Sequence, residues 1–116
     1  MPAVPSLKPH VELALTSNDD ARATIFDPEI ARLCEGVREL GSLNASARQA
    51  NMAYSKAWGL IKNAEEAFGK PLLVRNGAHG STLSREGEQL LDAYQKLCER
   101  VESYTAKQAR RTIAKL

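Results

Sequence analysis

GSLNASARQANMAYSKAWGLIKNAEEAFGKPLLVRNGAHGSTLS, residues 41–84, is the stretch whose reading decides the fold. Ser42 opens a short helix, with Leu43, Ala47 and Ala50 as its small apolar positions, and Asn51-Met52-Ala53 turns the chain. Tyr54 to Phe68 then holds a longer helix that turns Ala57, Ile61, Ala64 and Phe68 inward, and Gly69 ends it. Two helices crossing steeply over a tight turn need a small residue at closest approach, a place that Ala47 suits. Leu72-Leu73-Val74 is a short strand, Asn76-Gly77 within Arg75–Gly80 is a turn signal, and Ser81–Leu83 returns. This order suits a helix whose exposed side chains enter a DNA groove while a flanking loop grips the backbone.

Working outward on the N-terminal side, Asp27-Pro28-Glu29 is a helix start. Asp27 can cap free amides, and proline at the first helical position loses no hydrogen bond. Ile30, Leu33, Cys34, Val37 and Leu40 follow at helical spacing up to Gly41. Before them, His10–Ser17 alternates, Asn18-Asp19-Asp20 is turn chemistry and Arg22–Phe26 can return, which predicts a hairpin over residues 10–26. Met1–Pro9, with three prolines, reads as a loose arm.

On the C-terminal side a last helix starts at Ser84 and is expected to run to about Gln108. Within it Leu90, Tyr94, Leu97, Val101 and Tyr104 recur at alternating steps of four and three, and Leu91 and Cys98 widen the stripe. One small domain covers only the first turns of such a stripe. A two-fold helix pair would cover the rest, which predicts a homodimer. The alternative is a monomer whose N-terminal hairpin folds over the same stripe. The expected fold class is therefore α+β: a single unit over 1–116, with a hairpin (10–26), a helix-turn-helix and wing (27–83), and a helix with a basic tail (84–116).

Composition sets the outer limits. The 116 residues, 43% of them apolar and 26% charged, suit one folded unit. No apolar run is long enough for a membrane span and no signal-peptide pattern opens the chain, so a cytoplasmic, nucleoid-associated protein is expected. Net charge is only +2, but it is uneven: five basic against two acidic residues over 42–80, and six against two over 96–116. Such local surplus fits a polyanion and equally a solvated surface. Cys34 and Cys98 are far apart, with no CxxC or Cys/His cluster. They read as buried thiols rather than a disulfide or metal site, with redox sensing as the alternative.

The segments GSLNASARQANMAYSKAWGLI, GKPLLVR and LSREGEQLL resemble the DNA-binding domain shared by ModE-type and LysR-type bacterial regulators. MAYSKAW and the hairpin before FDP bring the resemblance closer to the ModE type, and it extends over roughly residues 8–105. It implies a winged helix-turn-helix whose longer helix reads the major groove, whose wing tracks the backbone or minor groove, and whose last helix pairs two subunits. Carried onto this chain, it implies DNA contacts by Tyr54, Ser55 and Lys56 at the start of the reading helix and by Arg75 at the wing. Ala53 stands where the family often has serine, which removes a helix cap, and the wing is shorter and poorer in glycine than is usual. The molybdate-binding domain of the ModE type and the effector domain of the LysR type lie outside the matched segments, so no ligand specificity carries over.

Arg48 suits a phosphate contact or a surface ion pair, and His79 a weaker, partly charged wing contact. Trp58, the only tryptophan, suits core or wing packing better than base stacking, and Glu65-Glu66 suits a solvated face. No nucleophile and base are brought together and no phosphate loop is present, so neither enzyme activity nor a cofactor is expected. The expected partner is double-stranded DNA. A winged-helix module that binds protein, and a DNA-binding subunit controlled by a separate sensor protein, are the other readings.

Overall fold

The computed structural model describes residues 7–20 and 22–114. Most of the proline-rich arm (residues 1–6) and the end of the basic tail (115–116) lie outside the described residues. Element order is β1 (Leu15–Thr16), β2 (Thr24–Phe26), α1 (Pro28–Leu40), α2 (Leu43–Gln49), α3 (Tyr54–Phe68), β3 (Leu73–Arg75), a 3-10 turn (Gly77–His79), β4 (Ser81–Leu83) and α4 (Arg85–Ile113). This is the expected α+β winged helix-turn-helix with an N-terminal hairpin and a long C-terminal helix.

Local chemistry sets each boundary. Asp27 Oδ1 accepts from the Ile30 amide at 2.8 Å, Pro28 takes the first helical position, and Gly41 closes α1 in the left-handed region at φ 82°. Ser42 Oγ accepts from Ala45 N at 3.0 Å to start α2. The turn into α3 passes through Asn51 at φ 54°, a conformation asparagine tolerates better than most residues, and Met52 N donates to Ala47 O at 2.8 Å. Ala53 leads into α3 with no side-chain cap.

One core holds the four helices together. Phe26, Leu33, Ile61, Leu72 and Leu91 are fully enclosed, each worth roughly 1.5–3 kcal/mol relative to exposure. The α1–α2 crossing is close enough to need a glycine. A methyl on Gly36 would overlap the Ser46 hydroxyl and come within 2.7 Å of Ser46 Cβ, while Ser46 Oγ donates to Leu33 O at 2.7 Å. The small pair at the contact is thus Gly36 and Ser46, with Ala47 buried beside it. Arg38 ties α1 to α4 through Glu88 Oε2 (2.6 Å) and Asp92 Oδ1 (2.8 Å).

Four boundaries differ from those the sequence suggests. The second strand begins at Thr24 rather than Arg22, which falls in the turn. The first strand is two residues long rather than eight, because β2 offers only three residues to pair with and a bulge falls between Leu15 and Thr16. The wing strand is Leu73–Arg75, one residue later than expected, in register Leu73↔Leu83, Val74↔Thr82 and Arg75↔Ser81. And α4 continues to Ile113, since no glycine or proline interrupts residues 88–113. Its 29 residues span about 43 Å, which stretches the molecule to 62 Å; the radius of gyration is 17.4 Å, against about 13 Å for a compact chain of this length.

Candidate nucleic-acid interface

The inner face of α3 is fixed by Ala57, Ile61 and Ala64, all fully buried. At 100° per residue the opposite face carries Ser55, Gly59 and Lys62, with Glu66 at its far end, Lys56 and Asn63 on one flank and Tyr54 and Trp58 on the other. Tyr54, Ser55 and Lys56 are all exposed, as the sequence implied. Lys62 and Gly59 share this face, although the sequence reading did not single them out. The motif draws attention to the first turn, yet the helical wheel around Ala57 and Ile61 already places them beside Ser55.

Lys56 is not entirely unengaged. Its Nζ lies 3.5 Å from Glu29 Oε2 of α1, with both side chains more than half exposed. A solvated pair of this kind is worth about 0–1 kcal/mol and does not hold the lysine against a stronger anion. Arg48 is exposed at the last turn of α2.

The wing is a β3–β4 hairpin closed by Asn76–Gly80, with Asn76 N donating to Gly80 O at 2.8 Å. It is docked on the body at its base. Ser81 N donates to Gly41 O at 2.9 Å, and Gly80, at φ 91°, sits so near the Gly41 carbonyl that any side chain would collide with it. His79 is exposed in the 3-10 turn. Alternation along β3 puts Leu73 and Arg75 on one face, and Arg75 reaches back to α3 with Cζ 3.9 Å from the centroid of the Trp58 ring. Trp58 therefore packs against the wing, as its sequence setting suggested.

Glu65 departs from the sequence reading. Instead of facing solvent with Glu66, its Oε2 accepts from Leu72 N at 2.7 Å and Leu73 N at 3.3 Å, anchoring the start of the wing to the end of α3. Adjacent glutamates give no hint of this, because the amides they satisfy arrive from the next element.

Of the residues expected to pair two subunits, Tyr94 belongs to the chain's own core. It packs edge-on against Phe26 at 5.1 Å, and its hydroxyl donates to Leu13 O at 2.7 Å. Burial pushes its phenol well above the ordinary tyrosine range. Leu90 packs partly against the core and Val101 is half-buried, whereas Leu97 and Tyr104 are exposed, at 37% and 66%. Residues 7–13 run beside α4, sharing grooves with Glu99, Glu102, Ala106 and Ile113. Cys34 is fully buried, and burial raises its thiol to about 12; Cys98 is half-buried. Among the described residues, no His, Cys, Asp and Glu grouping could hold a metal ion, and no helix is long and apolar enough to cross a membrane.

Comparison with known proteins agrees with this architecture. Residues 30–88 match the family of bacterial regulatory helix-turn-helix proteins, lysR family. Over 87 residues the chain is 31% identical to the transcriptional regulator ModE of Haemophilus influenzae, across 72% of this chain and 34% of that protein. Its fold is similar to the crystal structure of VV2_1132, a LysR family transcriptional regulator, with a TM-score of 0.57 and 22% identity over 72% of this chain and 28% of the other. The chain spans about a third of the length of these relatives. Matched over half its length by the family's own helix-turn-helix, the chain belongs to the LysR family of bacterial regulatory helix-turn-helix proteins.

Proposed function

We propose that this chain is the double-stranded-DNA-binding unit of a transcriptional regulator in the cytoplasm, acting as a homodimer. The observation that carries the reading is the exposed face of α3 beside a docked wing: Ser55, Gly59 and Lys62 form a ridge, and Tyr54, Lys56 and Arg75 flank it. In this reading α3 lies in the major groove, where Tyr54, Ser55 and Lys56 contact base edges or phosphates. Arg75 and the weaker His79 contact the backbone at the wing, and Arg48 meets phosphate from α2. Residues 1–116 act as one unit, and no enzymatic step is assigned to it.

The dimer reading rests on Leu97, Val101 and Tyr104, the part of the α4 stripe left outside the core. Each large apolar side chain enclosed by pairing contributes about 1.5–3 kcal/mol. A two-fold pair favours a pseudo-palindromic site with half-sites about 34–36 Å, one helical turn, or a multiple apart.

Titrating salt against binding to a random duplex and to a duplex selected from a random pool tests the function. DNA binding gives an affinity that falls linearly on a log–log plot, with selected sequence preferred over random. No salt-dependent duplex binding would instead favour a protein-interaction module, a reading supported by the net charge of only +2 and the short wing. Sedimentation of the wild type and Val101→Glu tests assembly; a wild type that is monomeric at micromolar concentration refutes the homodimer.

A further inference from the structure

A cleft of about 450 Å³ opens between the start of α2, the first turns of α3 and the wing, lined by Ser42, Asn44, Tyr54, Trp58, Arg75 and Ser81 among others. The Arg75 guanidinium lies over the Trp58 ring at 3.9 Å. Stacking of this kind engages the flat face of the guanidinium and leaves its N–H edges free to donate. Among the described residues no carboxylate lies within ion-pair range of Arg75. The other polar lining groups are hydroxyls and an amide, which donate hydrogen bonds without adding charge. One fixed cation among neutral donors matches an anion of single charge with several acceptor oxygens. A phosphodiester has that chemistry.

We propose that this cleft seats one backbone phosphate of a DNA duplex, and that Trp58 is the positioning residue that holds Arg75 for it. The proposal rests on the DNA-binding reading above. A free arginine on an exposed hairpin samples many rotamers and loses that freedom on binding. Arg75 is instead held between a docked wing and a helix turn, so less freedom remains to be lost. Trp58 acts through Arg75 rather than on the DNA. Tyr54, one turn earlier on α3, shares the cleft and offers a phenolic donor to the same phosphate.

The test measures duplex binding across a salt series for the full chain and for Arg75→Ala, Trp58→Leu, Trp58→Phe and the Arg75→Ala/Trp58→Leu double variant. Arg75→Ala is expected to weaken binding and lower the salt slope by about one unit. Trp58→Leu changes no charge, yet its slope should move toward that of Arg75→Ala, and the double variant should bind no more weakly than the weaker single. Trp58→Phe keeps an aromatic plate and should retain more than half of the lost affinity on a logarithmic scale. It also serves as the informative variant if Trp58→Leu fails to fold, as judged by urea unfolding. Because Trp58 is the sole tryptophan, its emission reports the stack directly: it should shift in Arg75→Ala and again when wild type meets duplex. Losses that multiply across the two sites, with the parental slope kept in Trp58→Leu, overturn the positioning role. Emission unchanged by Arg75→Ala overturns the stack itself. A wild type that binds no duplex overturns the DNA reading beneath the proposal, a result distinct from both.

Discussion

Gly59 offers the sharpest separation of folding from binding on the proposed reading face. It stands inside α3, on the side opposite Ala57 and Ile61, and a Cβ built there meets nothing within 4 Å. Glycine inside a helix costs about 0.5–1 kcal/mol relative to alanine, through the backbone freedom it loses on folding. Gly59→Ala removes that cost with no steric counter-term, so the folded state should gain about 0.5–1 kcal/mol. Urea unfolding followed by helical circular dichroism measures this as a higher midpoint at unchanged slope. The same position predicts the opposite effect on function. If DNA approaches the ridge of Ser55, Gly59 and Lys62, Gly59→Glu leaves the helix intact while placing a carboxylate against phosphates. Duplex affinity should then fall by at least tenfold, about 1.4 kcal/mol, and the loss should shrink as salt is raised. A Gly59→Ala protein less stable than wild type refutes the open-space argument. Parental duplex affinity in a folded Gly59→Glu protein refutes the assignment of this face to DNA.

Four further outcomes follow from single contacts. Gly36→Ala should destabilise by about 1–3 kcal/mol in the same unfolding assay despite the better helix former, because its methyl must displace Ser46. Ser46→Ala should not rescue it, since the Cβ–Cβ approach of 2.7 Å remains. Ala53→Ser should stabilise by about 0.5–2 kcal/mol by capping α3, read as a rise in melting temperature; no rise means that the serine hydroxyl does not reach the α3 amides. Glu65→Ala should cost about 1–3 kcal/mol, with faster amide exchange at Leu72 and Leu73 in particular. Finally, the Cys34 thiol titrates at about 12 in the folded chain against 9.0 for an ordinary thiol. The folded state therefore keeps its proton where the unfolded state loses it. Stability from this group is complete below pH 9.0 and declines as pH rises toward 12, by up to about 1.4 kcal/mol per pH unit. Unfolding midpoints across that window should flatten in Cys34→Ala; an identical decline in the variant assigns it elsewhere, Tyr94 first, whose pKa is raised in the same direction.

What the sequence disclosed and what it hid divide along the range of the interaction. Asp27-Pro28 and Gly41 bound α1 through partners within four residues, so the boundaries could be read from one dimension. Ala57, Ile61 and Ala64 set the inner face of α3 by period alone, and with it the exposure of Tyr54, Ser55 and Lys56. HVELALTS alternates as a strand should, yet alternation states a preference for two faces, not the presence of a neighbour to pair with. Only Thr24–Phe26 returns to pair, so residues 7–13 take their contacts from α4 instead, with Leu13 O accepting the Tyr94 hydroxyl 81 positions away. That contact also accounts for Tyr94 leaving the pairing stripe, since four-and-three spacing cannot tell a surface covered by its own chain from one covered by another. Glu65 and Trp58 are of the same kind. A carboxylate that anchors two amides and an indole that carries a guanidinium are set by where β3 lands, and β3 is placed by Leu72, Leu73 and Leu83 entering a core assembled from four helices. The wing's chemistry is thus a consequence of core packing, and a core variant that shifts β3 should alter Trp58 emission and duplex affinity together, without touching a residue of the proposed DNA-binding face.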